Sequence, residues 1–312
     1  MLLTDYFRYP KDATWDIAKQ SGVSHGTIRL PETKEFDLTN KEHWKKVHGD
    51  FMVYGLKPII IEPMPNELHD HIKAGDKYRD ESIEKVLKMF PIMDELDIRT
   101  ICFNFMAHIG WLRTSNDIIE RGGAKVTGFN INDFKPTGAK ITKKELWDNY
   151  EYFIKAVIPD AEKYGIKLAL HPDDPPRDLG AVERIMTSAD NIDRAINQIV
   201  KSDSLGITMC QATYKIMGED LHEVIKRFKD KIMFIHFRNT EGNIDKYRET
   251  FHDNGSIDMA EIMKYYHSLG IDVPVRVDHV PTMVGEQLVN QGYDAIGRFF
   301  AIGYLKGIID SL

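Results

Sequence analysis

Residues 167–176 read KLALHPDDPP, an apolar run that stops at His171 and gives way to acids and prolines. A short apolar run bounded by Pro and Asp marks a buried strand of an α/β core, where both sheet faces are covered. The C-terminal end of such a strand is where parallel sheets keep their chemistry, so His171 is a candidate functional side chain. A satisfied histidine followed by a stiff turn fits the same ten residues, and the remaining chain has to decide between the two.

Outward from this strand, apolar runs alternate with amphipathic stretches, the pattern of repeated βα units. Strands are expected at residues 4–9, 23–29, 58–62, 99–104, 167–171, 205–210, 232–237 and 274–278. Helices are expected at 13–20, 41–54, 81–96, 143–164, 191–200, 221–228, 256–269 and 293–309. Eight strand–helix pairs without a linker, repeat or low-complexity break predict one (β/α)8 TIM barrel spanning residues 1–312, with an open doubly wound sheet as the alternative. One stretch breaks the beat. Residues 106–142, with Trp111, Arg113, Gly122, Gly123 and Pro136, are expected to form an irregular insertion, a lid or substrate loop on the face where strands end.

With 312 residues, 42% of them hydrophobic, the chain can bury one large core. The formal charge of −7, with both signs interspersed and no Lys/Arg-rich tract, argues against a nucleic-acid partner. No apolar stretch approaches the roughly twenty residues of a membrane span, and the first residues, MLLTDYFRYP, lack a basic head followed by an apolar run. A cytoplasmic protein without a membrane partner is expected. Two cysteines, Cys102 and Cys210, are too few for a disulfide framework and must each be core filler or ligand.

The last four expected strands end in His171, Cys210, His236 and Asp278. Each has a bland reading: Cys210 as buried filler, His236 as a histidine bonded to a neighbouring carbonyl, Asp278 as the partner of Arg276 or Arg238. In a barrel, however, those ends converge around one axis. Imidazole, thiolate and carboxylate together suit Mn²⁺, Fe²⁺ or Zn²⁺, whereas Mg²⁺ and Ca²⁺ prefer oxygen ligands alone. Four coincidences at the same end of four successive strands favour one metal site.

The blocks CFNFM (102–106), LALHPDDPP (168–176), ITMCQATY (207–214), IHFRNT (235–240), NGSIDM (254–259), VRVDH (275–279) and GYDAIGR (292–298) resemble the mannonate dehydratase family, in order, from about residue 100 onward. The resemblance implies a xylose-isomerase-like TIM barrel that removes water from D-mannonate to give 2-keto-3-deoxy-D-gluconate. It implies a divalent metal, Mn²⁺ or Fe²⁺ ahead of Zn²⁺, on the positions of His171, Cys210, His236 and Asp278. It also implies catalytic roles at His279 and Tyr293, and a homo-oligomer. The chain is shorter than typical members, chiefly after Arg113. Arg29 stands where the family carries a histidine, and the family's second histidine after Asp278 is replaced within Val280-Pro281.

Dehydrating a 2,3-dihydroxy acid removes a weakly acidic C2 proton and expels a poor leaving group from C3. A base and an acid are needed, with a cation to neutralise the carboxylate. His279, next to Asp278, and Tyr293 are the candidates, with the division of roles open; each also has a structural reading, His279 orienting Asp278 and Tyr293 packing the last helix. Asn104, Arg113, Asp173, Arg238, Asn239 and His252 are candidates for holding a sugar acid, Arg being suited by its bidentate fork. A metal-dependent sugar isomerase or epimerase on the same barrel, and a barrel that binds a sugar acid without turning it over, remain the alternatives.

Overall fold

The structure is a computed structural model that describes residues 1–287 and 290–312. Its elements run β1 (Leu2–Phe7), α1 (Ala13–Gln20), β2 (His25–Ile28), α2 (Lys41–Tyr54), β3 (Lys57–Ile61), α3 (Asn66–Ala74), α4 (Arg79–Glu95) and β4 (Thr100–Phe103). There follow β5 (Ser115–Ile119), β6 (Lys125–Asn130), α5 (Lys143–Lys163), β7 (Lys167–Leu170), α6 (Ala189–Asp193), β8 (Leu205–Cys210), α7 (Gln211–Ile216) and α8 (Leu221–Arg227). The chain ends with β9 (Ile232–Phe237), β10 (Thr240–Asn243), β11 (Lys246–Glu249), α9 (Met259–Ser268), β12 (Pro274–Val277) and α10 (Ala295–Ile309).

Helices start where a side chain can accept a free backbone N–H. Asp12, Asn40, Ser188, Asp220 and Asp258 each cap one, and Thr142 with Glu145 forms a reciprocal capping box on α5. No helix among the described residues is long and apolar enough to cross a membrane.

Eight parallel strands close in the order β1-β12-β9-β8-β7-β4-β3-β2, the (β/α)8 barrel expected. Strand boundaries agree with expectation to within two residues, and His171 and Asp278 lie just past β7 and β12. Pairing brings strand ends together: Cys210 opposes His236 across β8 and β9, and the Asp278 N–H donates to Phe237 O at 3.0 Å. β4 and β9 are not neighbours in the ring, yet Ile60, Cys102 and Phe234 form one buried cluster. That contact crosses the lumen, as the packed layers inside such barrels require.

Residues 106–142 are not irregular throughout. β5 and β6 pair antiparallel with each other, and β6 pairs with the β10–β11 hairpin in a second sheet ordered β10-β11-β6-β5. The β10–β11 hairpin that holds β6 lies more than a hundred residues away in sequence, so the short local pattern of β5 and β6 carries little signal. The hairpin is turned by Asn243, whose Oδ1 accepts from the N–H groups of Asp245 and Lys246. Alternation along β11 buries Tyr247 and Glu249 while Lys246 is exposed. Helix α3, which no apolar period announces strongly, is likewise an addition to the expected elements.

Candidate metal centre and catalytic cavity

A cavity of about 780 Å³ opens at the C-terminal mouth of the barrel. His171, His236, Asp278, His279 and Tyr293 line one part of it, Tyr6, Arg8, Arg29, Asn66 and Lys73 another. One ligand atom each from His171, Cys210 and His236 lies within 4.8 Å of the others. Asp278 Oδ2 is 3.5 Å from His236 Nδ1. The four strand-end residues of the sequence are thus brought to one place.

His171 Nδ1 lies 2.6 Å from Pro172 O, which leaves Nε2 for another partner. Burial opposes ionisation of Cys210, but the Arg238 guanidinium and His171 beside it hold the thiol well below its ordinary range. The sulfur accepts from Thr213 Oγ1 at 3.1 Å and Arg238 Nη1 at 3.4 Å. Burial also opposes the Asp278 carboxylate, yet His279, Arg276 and His236 keep it well below the carboxylate range. Burial and Arg276 press His236 to lose its proton, but Glu62 and Asp278 outweigh them and raise it well above an ordinary histidine. Neither buried ring nitrogen of His236 has an aligned hydrogen bond. A thiolate, a carboxylate and two imidazoles make a donor set that a divalent transition ion fits, His236 giving up one ring proton as the ion enters.

His279 follows Asp278 with φ 48°, a left-handed backbone that turns its ring over the mouth. The ring stacks on Trp111 with centroids 5.2 Å apart and planes at 11°. Gly292, at φ +83°, makes this possible, because a Cβ there would meet His279 Nδ1 at 3.0 Å. Burial lowers the pKa of His279 against the pull of Asp278 and Glu249. Tyr293 lies two residues before α10; its ring is 5.2 Å from His279 and 5.6 Å from Tyr6, and its hydroxyl donates to Asp278 Oδ1 at 3.2 Å. Burial, then Asp278, raises its pKa well above that of a free phenol.

Of the six residues read as substrate contacts, Asn104 lines the cavity, and its Oδ1 accepts from Met106 N–H at 3.1 Å. The other five lie behind the wall. Arg113 grips Asp174 at 2.8 and 2.9 Å and Glu249 at 2.7 Å. Arg238 binds Glu249 at 2.6 and 2.9 Å and Asp174 at 2.9 Å. Two arginines and two carboxylates, with the Tyr247 hydroxyl on Asp174 at 2.7 Å, form a buried network that ties hairpin, insertion and His-Pro-Asp-Asp loop together. Asp173 Oδ2 accepts from the N–H groups of Ile185 and Met186. Asn239 donates to the carbonyls of His252 and Ile257, and His252 Nε2 lies 2.8 Å from Phe237 O.

Of two groups beside the proposed ligands, Glu62 was not singled out from sequence, and Arg276 was read only as a possible partner of Asp278. Glu62 lies 3.0 Å from His236 Nε2, and Arg276 holds both its oxygens at 2.8 Å while reaching Asp278 Oδ1 at 2.9 Å. The acid ending PIIIE (58–62) is the same kind of strand-end signal that marked the other four. Arg8, Arg29 and Lys73 were also missed as lining groups. Arg8 and Arg29 immediately follow the paired strand ends Phe7 and Ile28, an adjacency that only the register reveals.

Residues 14–140 and 137–312 match the family model described as D-mannonate dehydratase (UxuA). A mannonate dehydratase of Streptococcus agalactiae serotype III (strain NEM316) is 32% identical over 309 residues, 88% of each chain. Mannonate dehydratase 2 of Halalkalibacterium halodurans is 31% identical over 292 residues, 83% of this chain and 84% of that one. Among solved structures, the mannonate dehydratase of Streptococcus suis serotype 2 superposes with a TM-score of 0.89 at 25% identity, covering 100% of this chain and 94% of the other. The D-psicose 3-epimerase of Clostridium cellulolyticum H10 superposes at 0.66 with 12% identity over 99% of both chains, a likeness of fold.

Proposed function

The chain belongs to the D-mannonate dehydratase family, and on that premise we propose how its cavity removes water from D-mannonate to give 2-keto-3-deoxy-D-gluconate. The reading is carried by one observation: strand ends bring one ligand atom each of His171, Cys210 and His236 within 4.8 Å of one another, with Asp278 3.5 Å from His236 and with His279 and Tyr293 alongside. Those four residues would hold a divalent ion, Mn²⁺ or Fe²⁺ ahead of Zn²⁺. When bound, such an ion supplies Lewis-acid polarisation of the substrate's carboxylate and 2-hydroxyl.

The chain's own groups divide the remaining work. His279 takes the C2 proton, and the electron pair becomes the C2–C3 double bond as the C3–O bond breaks. The Tyr293 hydroxyl, already oriented as a donor to Asp278, gives the departing oxygen its proton, so that water leaves. The enol then becomes the ketone. Its O2 proton returns to Tyr293, the His279 proton goes to C3, and both groups are restored. Trp111 stacked on His279 fixes the imidazole and shields it from bulk water.

Across the mouth, β1 and β2 stand opposite β7 and β8 in the ring, so Arg8 and Arg29 lie across from His171 and Cys210 and would receive the substrate's far hydroxyls. Residues 106–142 and the β10–β11 hairpin would roof the cavity within one barrel domain. The test is incubation of metal-loaded protein with a panel of aldonic acids and assay of 2-keto-3-deoxy products. D-mannonate is expected to be consumed with stoichiometric ketone. Isomerisation of a free sugar, with no acid dehydrated, would overturn the proposal.

A further inference from the structure

Glu62 lies one residue past β3, and β3 stands diametrically opposite β9 in the barrel. Its buried carboxylate therefore reaches His236 across the lumen, 3.0 Å from Nε2. The opposite nitrogen, Nδ1, faces Asp278 at 3.5 Å. Arg276 completes a ring: it clasps both Glu62 oxygens at 2.8 Å and sends Nη1 to Asp278 Oδ1 at 2.9 Å. Glu62 and Asp278 are thus spanned twice, once by an imidazole and once by a guanidinium. Glu62, Cys102 and His236 by themselves have the composition of a second metal cluster. The Arg276 guanidinium, bonded to both oxygens of Glu62, already supplies the positive charge there, and the Cys102 thiol is pushed up to about 11 by burial and by Glu62.

We propose that Glu62 is a positioning residue for the metal site: its carboxylate, 3.0 Å from His236 Nε2, favours the tautomer with the proton on that nitrogen and so leaves Nδ1 free on the side of Asp278. The inference rests on the metal set proposed above. A carboxylate on the far nitrogen of a ligating histidine orients the ring and raises its basicity, and loss of such a partner weakens metal binding roughly 10- to 100-fold. Arg276, beside His236 on the neighbouring strand β12, in turn holds Glu62 in place, so one buried pair spanning the lumen sets the direction of two ligands.

Titration with Co²⁺, followed through the thiolate charge-transfer absorption of Cys210, reads metal affinity directly. Glu62→Gln is expected to weaken it roughly 10- to 100-fold and Glu62→Asp by less, in protein whose circular dichroism is native. Unchanged affinity in both, with His236→Ala losing metal, would overturn the role of Glu62 and leave the metal set standing. Retention of metal by His236→Ala would instead remove the metal set itself. Should Glu62→Gln not fold, the unsubstituted protein decides. Imidazole ¹⁵N spectra of the Zn²⁺-loaded form should show His236 protonated at Nε2, and a proton on Nδ1 would refute the assignment.

Discussion

The Tyr293 ring packs between Tyr6 and His279, and only its hydroxyl reaches Asp278. Tyr293→Phe therefore removes a proton donor while leaving the packing in place. We expect kcat for D-mannonate to fall by roughly 10²- to 10⁴-fold, the usual worth of a general acid, with the metal content by elemental analysis unchanged. Loss of metal from this variant would mean that the hydroxyl supports Asp278 rather than the reaction. At the same scale, Arg113 and Arg238 act differently from what an arginine in a candidate site suggests. Both are buried and fully engaged with Asp174 and Glu249, and Arg238 alone also touches the metal set, through the Cys210 sulfur.

The hairpin β10–β11 and the strands β5–β6 show what an element contributes. Alternation along β11 directs Tyr247 and Glu249 inward, where they meet Asp174 of the His-Pro-Asp-Asp loop and the two arginines. Removing one arginine leaves two buried carboxylates sharing a single guanidinium. Arg113→Met should cost about 3–5 kcal/mol, read as a lower denaturant midpoint. Adding Asp174→Asn to that variant should recover part of the loss, because it removes the surplus negative charge. Equal midpoints for the native and Arg113→Met proteins would show that the network does not hold the hairpin on the barrel. The same network explains why residues 106–142 read as irregular: what orders them is tertiary, supplied by side chains far away in sequence.

Across the whole molecule, pH enters through buried histidines. His69 on α3 sits among Phe103, Phe105 and Phe153, its ring 5.9 Å from each, and neither nitrogen has a hydrogen-bond partner. Burial, helped by Lys73, holds its pKa well below 6.5. Below pH 6.5 the unfolded chain takes up a proton that the folded chain refuses, so this contribution is full above 6.5 and is lost as pH falls. His69→Phe should make the decline in unfolding free energy below pH 6.5 shallower by up to about 1.4 kcal/mol per pH unit. Parallel pH profiles for the two proteins would refute this.

The sequence by itself determined the barrel and pointed to the four proposed ligands, because both readings follow from local chemistry repeated in order. Apolar runs bounded by Pro, Gly and Asp fix eight strands, and the residue at each strand's end is readable one strand at a time. The same rule reaches Glu62, at the end of PIIIE, yet its meaning depends on β9 lying opposite β3. Only the tertiary structure decided which charged groups face the cavity and which face one another. Asp173, Asp174, Arg113 and Arg238 look alike as sequence, but a buried charge must find its partner wherever the fold places it. That placement put two arginines behind the wall and left Arg8, Arg29 and Lys73 lining the cavity.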